Sequence, residues 1–130
     1  MEKSKFKILF RGPVYPAIIV SDKRLYSTFD IEELTIGCMS SNPVKGSSII
    51  AVIDSTGEEF WFTPEHNAIS FGFASQKWTK KKIIELFNKS SNAKKAKLEY
   101  PLKSLSSKRL SKIITDICEV LKSQQLAVDR

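Results

Sequence analysis

The apolar residues of this chain change period near residue 75, and that change constrains the fold more than any other feature. Before it, apolar and polar residues alternate in short runs broken by Gly, Pro, Asn and Asp, the period-2 signature of strands. After it they recur at i, i+3, i+4 and i+7, the stripe of an amphipathic helix. A chain that is first strand-rich and then helix-rich belongs to the α+β class. With 130 residues, 42% of them hydrophobic, it has the size of a single domain and can close a core without disulfides or metals. The expected layout is one domain, mainly β over residues 1–75 and mainly helical and basic over 76–130.

Within the first part, Phe6, Ile8 and Phe10 alternate with Lys5, Lys7, Leu9 and Arg11 up to Gly12-Pro13, which suits a half-buried strand. Residues 17–21 and 25–29 flank Asp22-Lys23-Arg24 as a hairpin. Asp30 followed by Glu33 has the form of a capping box, so one short helical turn is expected over 30–35, stopping near Gly37. Ile49-Ile50-Ala51-Val52-Ile53 is apolar on both alternating faces and reads as a central strand covered on both sides. Ser55-Thr56-Gly57 turns it into residues 58–63, where Phe60 and Phe62 share a face, and residues 68–73 follow as a further strand. Five to six strands linked this tightly predict an antiparallel, strongly bent sheet or small open barrel.

In the second part, Thr79 is a suitable N-cap for a helix with Ile83, Ile84, Leu86 and Phe87 on one stripe. Residues 90–97 read as a polar, basic linker. Leu105 or Ser107 opens the longest helix, whose stripe of Leu110, Ile113, Ile114, Ile117 and Leu121 is expected to pack on the sheet. Two helices are therefore anticipated.

Charge is distributed unevenly. The chain carries 21 Lys and Arg against 14 Asp and Glu, a net charge of +7. Residues 1–75 are net −2 and residues 76–130 net +9, and twelve basic residues between 77 and 112 meet only Glu85 and Glu99. That density creates a local potential able to steer an anionic partner. The candidate binding surface is Lys77, Trp78, Lys80, Lys81, Lys82, Lys94, Lys95, Lys97, Lys108, Arg109 and Lys112. Three lysines in the first turn of a helix oppose the helix dipole, a cost that an approaching anion would reverse. Hydrated lysines on a solvated face are the plain alternative. Trp78 among these cations offers a stacking surface of the kind single-stranded nucleic acids use, or else it fills the core where sheet and helix meet.

Catalytic patterns are sparse. His66 is the sole histidine, no Gly-x-Ser-x-Gly elbow exists to present a nucleophile, and a turn histidine in water is the better reading. Asp54, Glu58 and Glu59 flank one turn and could hold magnesium, but Phe60-Trp61-Phe62 follows where a metal-dependent nuclease places a lysine. Cys38, Cys118 and His66 lack zinc-ligand spacing, and no phosphate-cradling glycine motif occurs. No cofactor or metal is expected. The longest stretches free of Asp, Glu, Lys and Arg, residues 34–44 and 66–76, are too short to span a bilayer. Arg11 and Pro13 interrupt the apolar stretch after Lys3, Lys5 and Lys7, so a cleaved signal is not expected either, and two reduced cysteines suit the cytoplasm.

The leading expectation is a non-catalytic binding module that meets an acidic protein through its basic C-terminal half. Inhibitors and immunity-type proteins belong to this class. Sequence-independent nucleic-acid binding through lysines and Trp78 is the runner-up. A hydrolase or metal-dependent nuclease using Asp54, Glu58, Glu59 and His66 stands third.

Overall fold

A computed structural model describes residues 5–22, 24–43, 45–72, 77–101, 103 and 107–128, with side chains as far as residue 125 in the last helix. Six strands form one sheet: β1 (Lys7–Ile8), β2 (Ala17–Ser21), β3 (Arg24–Thr28), β4 (Ile50–Ile53), β5 (Glu59–Thr63) and β6 (Ala68–Phe71). Their order is β1-β6-β5-β4-β2-β3, so the sheet is open, with β1 and β3 as its edges, and does not close into a barrel. Four helices are seen among the described residues: α1 (Ile31–Ser40), α2 (Lys80–Lys89), α3 (Ser91–Ala96) and α4 (Leu110–Val128). The class is α+β.

The doubly apolar run lies where its composition requires. β4 sits between β2 and β5, and side-chain alternation divides the strands between two cores. On one face Ile18, Leu25 and Ile53 pack with Ile83, Ile84 and Phe87 of α2, Ala93 of α3, and Ile113, Ile114, Ile117 and Leu121 of α4. On the other, Ala17, Ile19, Ile50, Val52, Phe60, Phe62 and Ile69 pack with Leu34 and Cys38 of α1. The stripe anticipated on the last helix is thus the stripe that docks, with Leu110 half-buried at its start.

Several details differ from the sequence-based expectation. The sheet is mixed rather than antiparallel, because β1 runs parallel to β6, with Lys7 opposite Ala68 and Ile8 opposite Ile69. These are the first and last strands, so no hairpin ties their directions together. Of the alternating N-terminal residues only Phe6 reaches the core, stacking on Phe62 at 5.7 Å. Phe10 adopts a positive φ of 71° and is 86% exposed, where the chain leaves the edge and crosses toward β2.

The helical turn after Asp30 grows into the ten-residue α1. Its start follows the capping box, with Asp30 Oδ1 accepting from the Glu33 N–H and Glu33 Oε1 from the Phe29 N–H. Gly37 does not end it. A Cβ there would lie 2.5 Å from Ile19 Cδ1, so this glycine lets α1 approach the sheet. The supposed linker after residue 90 holds α3. Ser90 is extended, and its hydroxyl both donates to the Phe87 carbonyl and accepts from the Ala93 N–H, closing α2 and opening α3. Lys23, Phe73 and Leu105 lie outside the described residues.

Candidate functional site

Charge separation along the sequence becomes separation across the sheet. Helix α1 carries Glu32 and Glu33 in its first turn and no Lys or Arg. Helices α2 and α3, on the opposite face, carry six lysines against Glu85. Thr79 caps α2 as expected, its hydroxyl accepting from the Lys82 N–H at 3.3 Å, so Lys80, Lys81 and Lys82 do occupy the first turn with no acidic residue among them. Lys94 and Lys95 are exposed on α3, and Lys97 follows in the left-handed conformation at φ 53°.

Ion pairing sorts nine of the eleven candidate residues into two groups. Lys108 and Lys112 are engaged internally: both bond Asp116, at 3.1 and 2.9 Å, and Tyr100 donates its hydroxyl to the same carboxylate at 2.8 Å. Burial alone would raise the Asp116 carboxyl, but bonds from Lys112, Tyr100 and Lys108 outweigh it and hold the group below its ordinary range. Burial and the bond to Asp116 raise the Tyr100 phenol. This cluster anchors the segment before α4 to that helix. In contrast, Lys77, Lys81, Lys82, Lys94, Lys95, Lys97 and Arg109 are exposed and form no ion pair among the described residues.

Trp78 is not a free stacking plate. It is half-buried against the helical core, and its indole N–H donates to Glu59 Oε1 at 2.8 Å. The Trp61 indole donates to the other oxygen, Oε2, at 2.5 Å. Glu59 therefore gathers both tryptophans at the start of β5; alternation places it on one strand face with Trp61, but Trp78 is nineteen residues away, and no pattern in the sequence joins the two. Lys89 was missed too. It is exposed in the last turn of α2 with no ion pair among the described residues, and it falls seven residues after Lys82, which places the two on one helix side.

The carboxylates proposed for acid, base or metal work are each occupied separately. Asp54 is fully buried: Oδ1 accepts from the Thr56 N–H, the Thr56 hydroxyl and the Glu58 N–H, and Oδ2 from the Val14 N–H. It shapes the β4–β5 turn and ties the Val14 segment to it. Glu58 pairs with Arg11, whose guanidinium also lies 4.2 Å from the Phe71 ring centre. His66 is exposed in the turn before β6. No group of three or more His, Cys, Asp or Glu gathers in metal-binding proximity among the described residues. Burial pushes the Cys38 and Cys118 thiols up to about 12, so both stay protonated and poorly nucleophilic at neutral pH.

Two clefts open elsewhere. One of about 340 Å³ lies between α1 and β3 beside Tyr26, Ile36 and Gln125, and one of about 300 Å³ lies beside Met39, Phe62 and Pro64. Neither is lined by a candidate basic residue, whereas a third cleft, of about 240 Å³ beside Arg24, Asn92 and Gln124, is lined by Lys95. No helix among the described residues is long and apolar enough to cross a membrane. Comparison with protein-family models, with curated proteins and with solved structures finds no match for this chain.

Proposed function

We propose that this protein is a non-catalytic binding module whose helical layer, through α2, α3 and the residues that follow, contacts an acidic surface of another protein. The observation that carries this reading is the set of exposed cations that form no ion pair among the described residues and lie on one side of the sheet, while the charged residues of α1, on the other side, are both acidic. Such an arrangement orients an incoming acidic protein before contact, which raises the association rate and selects against basic partners. Of the candidate cations only Lys95 lines any of the three clefts, so the set as a whole suits an extended protein surface better than a small enclosed ligand. An inhibitor or immunity-type role fits this mode of action, with the sheet as a scaffold for the charged layer.

Nucleic acid is the less favoured ligand. Its stacking platform would be Trp78, whose polar edge is taken by Glu59, a carboxylate that repels phosphates.

The test uses a quadruple variant, Lys81→Gln, Lys82→Gln, Lys94→Gln and Lys95→Gln. None of these side chains forms an ion pair among the described residues, so thermal stability is expected to hold or rise, by at most about 1 kcal/mol from relief at the α2 N-terminus. Affinity for the acidic partner is expected to fall at least tenfold, with a shallower salt dependence. Unchanged affinity and unchanged salt dependence in the folded variant would reduce these lysines to a solvated face.

A further inference from the structure

The outer edge of β3 is closed by side-chain amides where a neighbouring strand would otherwise lie. Leu25 and Ser27 turn their peptide groups outward, away from β2. The Leu25 N–H donates to Asn92 Oδ1 at 2.7 Å, and the Leu25 carbonyl accepts from Asn92 Nδ2 at 3.1 Å. One carboxamide thereby supplies the two-point contact that a paired strand residue makes. Two residues on, the Ser27 N–H and hydroxyl donate to Gln125 Oε1 at 2.9 and 3.0 Å.

Asn92 is itself fixed. Its Nδ2 donates to Gln124 Oε1, and its backbone carbonyl accepts from Gln124 Nε2, both at 2.8 Å, and the residue is only 7% exposed. The opposite edge needs no such device, because β1 is two residues long and begins with a lysine. By contrast, β3 is five residues long, with no proline and with its one charge, Arg24, at its first position, so its remaining four residues carry nothing that discourages pairing.

We propose that Asn92 and Gln125 act as a built-in surrogate strand that prevents β3 from pairing with β3 of a second copy of this chain. The geometry specifies the pairing that would replace them. Antiparallel β3 strands related by a twofold axis at Tyr26 set Leu25 of one copy opposite Ser27 of the other, so the outward groups satisfy each other, and the symmetric contact closes at a dimer.

Sedimentation of the parent is compared with the double variant Asn92→Ala and Gln125→Ala, with circular dichroism to verify folding. The double variant is expected to dimerise at a concentration at least about tenfold below any association of the parent. Adding Ser27→Pro, which removes an outward N–H without touching the ladder to β2, is expected to abolish that dimer. A folded double variant that stays monomeric at every concentration reached by the parent would overturn the proposal. Association that persists with Ser27→Pro would overturn it as well, by placing the contact elsewhere. Should the double variant not fold, Gln125→Ala alone exposes the Ser27 end of the edge and carries the same expectation, and its remaining monomeric while folded would be equally decisive.

Discussion

Replacing Asp54 by alanine separates a structural carboxylate from a catalytic one. Four hydrogen bonds end on this side chain, three of them from backbone N–H groups of Val14, Thr56 and Glu58. Thr56 is exposed and can recover water, whereas Val14 and Glu58 are held against the turn, where Ser55 also bonds the Val14 carbonyl. At a net value of about 1 kcal/mol per bond, with bonds to a charged acceptor toward the upper end, Asp54→Ala is expected to cost about 3–5 kcal/mol. Asp54→Asn keeps the Oδ1 acceptor for three bonds but aims an amide N–H at the Val14 N–H. Its expected cost is about 1–2 kcal/mol. Urea denaturation with an unchanged m-value is the assay, since a changed slope would signal a different denatured state. A loss below about 1 kcal/mol for Asp54→Ala, or equal losses for both variants, would refute the account of this turn.

Ile114 is fully buried between α4 and the sheet, so Ile114→Ala is expected to cost about 2–5 kcal/mol by chemical denaturation. A loss under about half a kcal/mol in a folded protein would mean the helix docks by another face. Lys97 caps α3 in the left-handed region, where a Cβ is strained, so Lys97→Gly is expected to raise stability by about 0.5–1 kcal/mol while slightly weakening binding to the acidic partner. The Asp116 carboxyl is depressed by its three donors, so its contribution to stability is complete above the ordinary carboxylate range and is lost as pH falls through the folded value. Parent and Asp116→Asn should therefore differ in midpoint at pH 7 and converge on acidification below about pH 4. A difference that persists unchanged into strong acid would contradict this.

Much of the framework was legible because it follows from period alone. The doubly apolar run Ile49 to Ile53 had to be central, and its last four residues form β4; the stripe through Ile113, Ile117 and Leu121 had to be buried. Direction was not legible, since alternation in Lys7-Ile8 says nothing about whether β1 runs with or against β6. Gly37 was misleading for a physical reason: a glycine shortly after a capped helical turn resembles a stop, and only the proximity of Ile19 shows that it permits close packing. Helix α3 was hidden because a six-residue helix with Ala93 as its only large-core contact has no periodicity to detect. The basic surface was visible in composition, but composition could not distinguish Lys108 and Lys112, spent on Asp116, from Lys81, Lys82, Lys94 and Lys95, which form no ion pair among the described residues. Nor could it show that Glu59 takes the polar edge of Trp78.

The most direct test of the binding surface is paired affinity capture from the native host with the parent and the Lys81, Lys82, Lys94 and Lys95 to glutamine variant. Protein and nucleic acid are quantified in the same eluates, and the captured protein is then titrated against both baits by calorimetry. The account predicts one reproducible acidic protein that binds the parent directly and the folded variant at least about tenfold more weakly. Equal affinity for both baits would contradict it, as would capture that depends on nucleic acid and disappears on nuclease treatment.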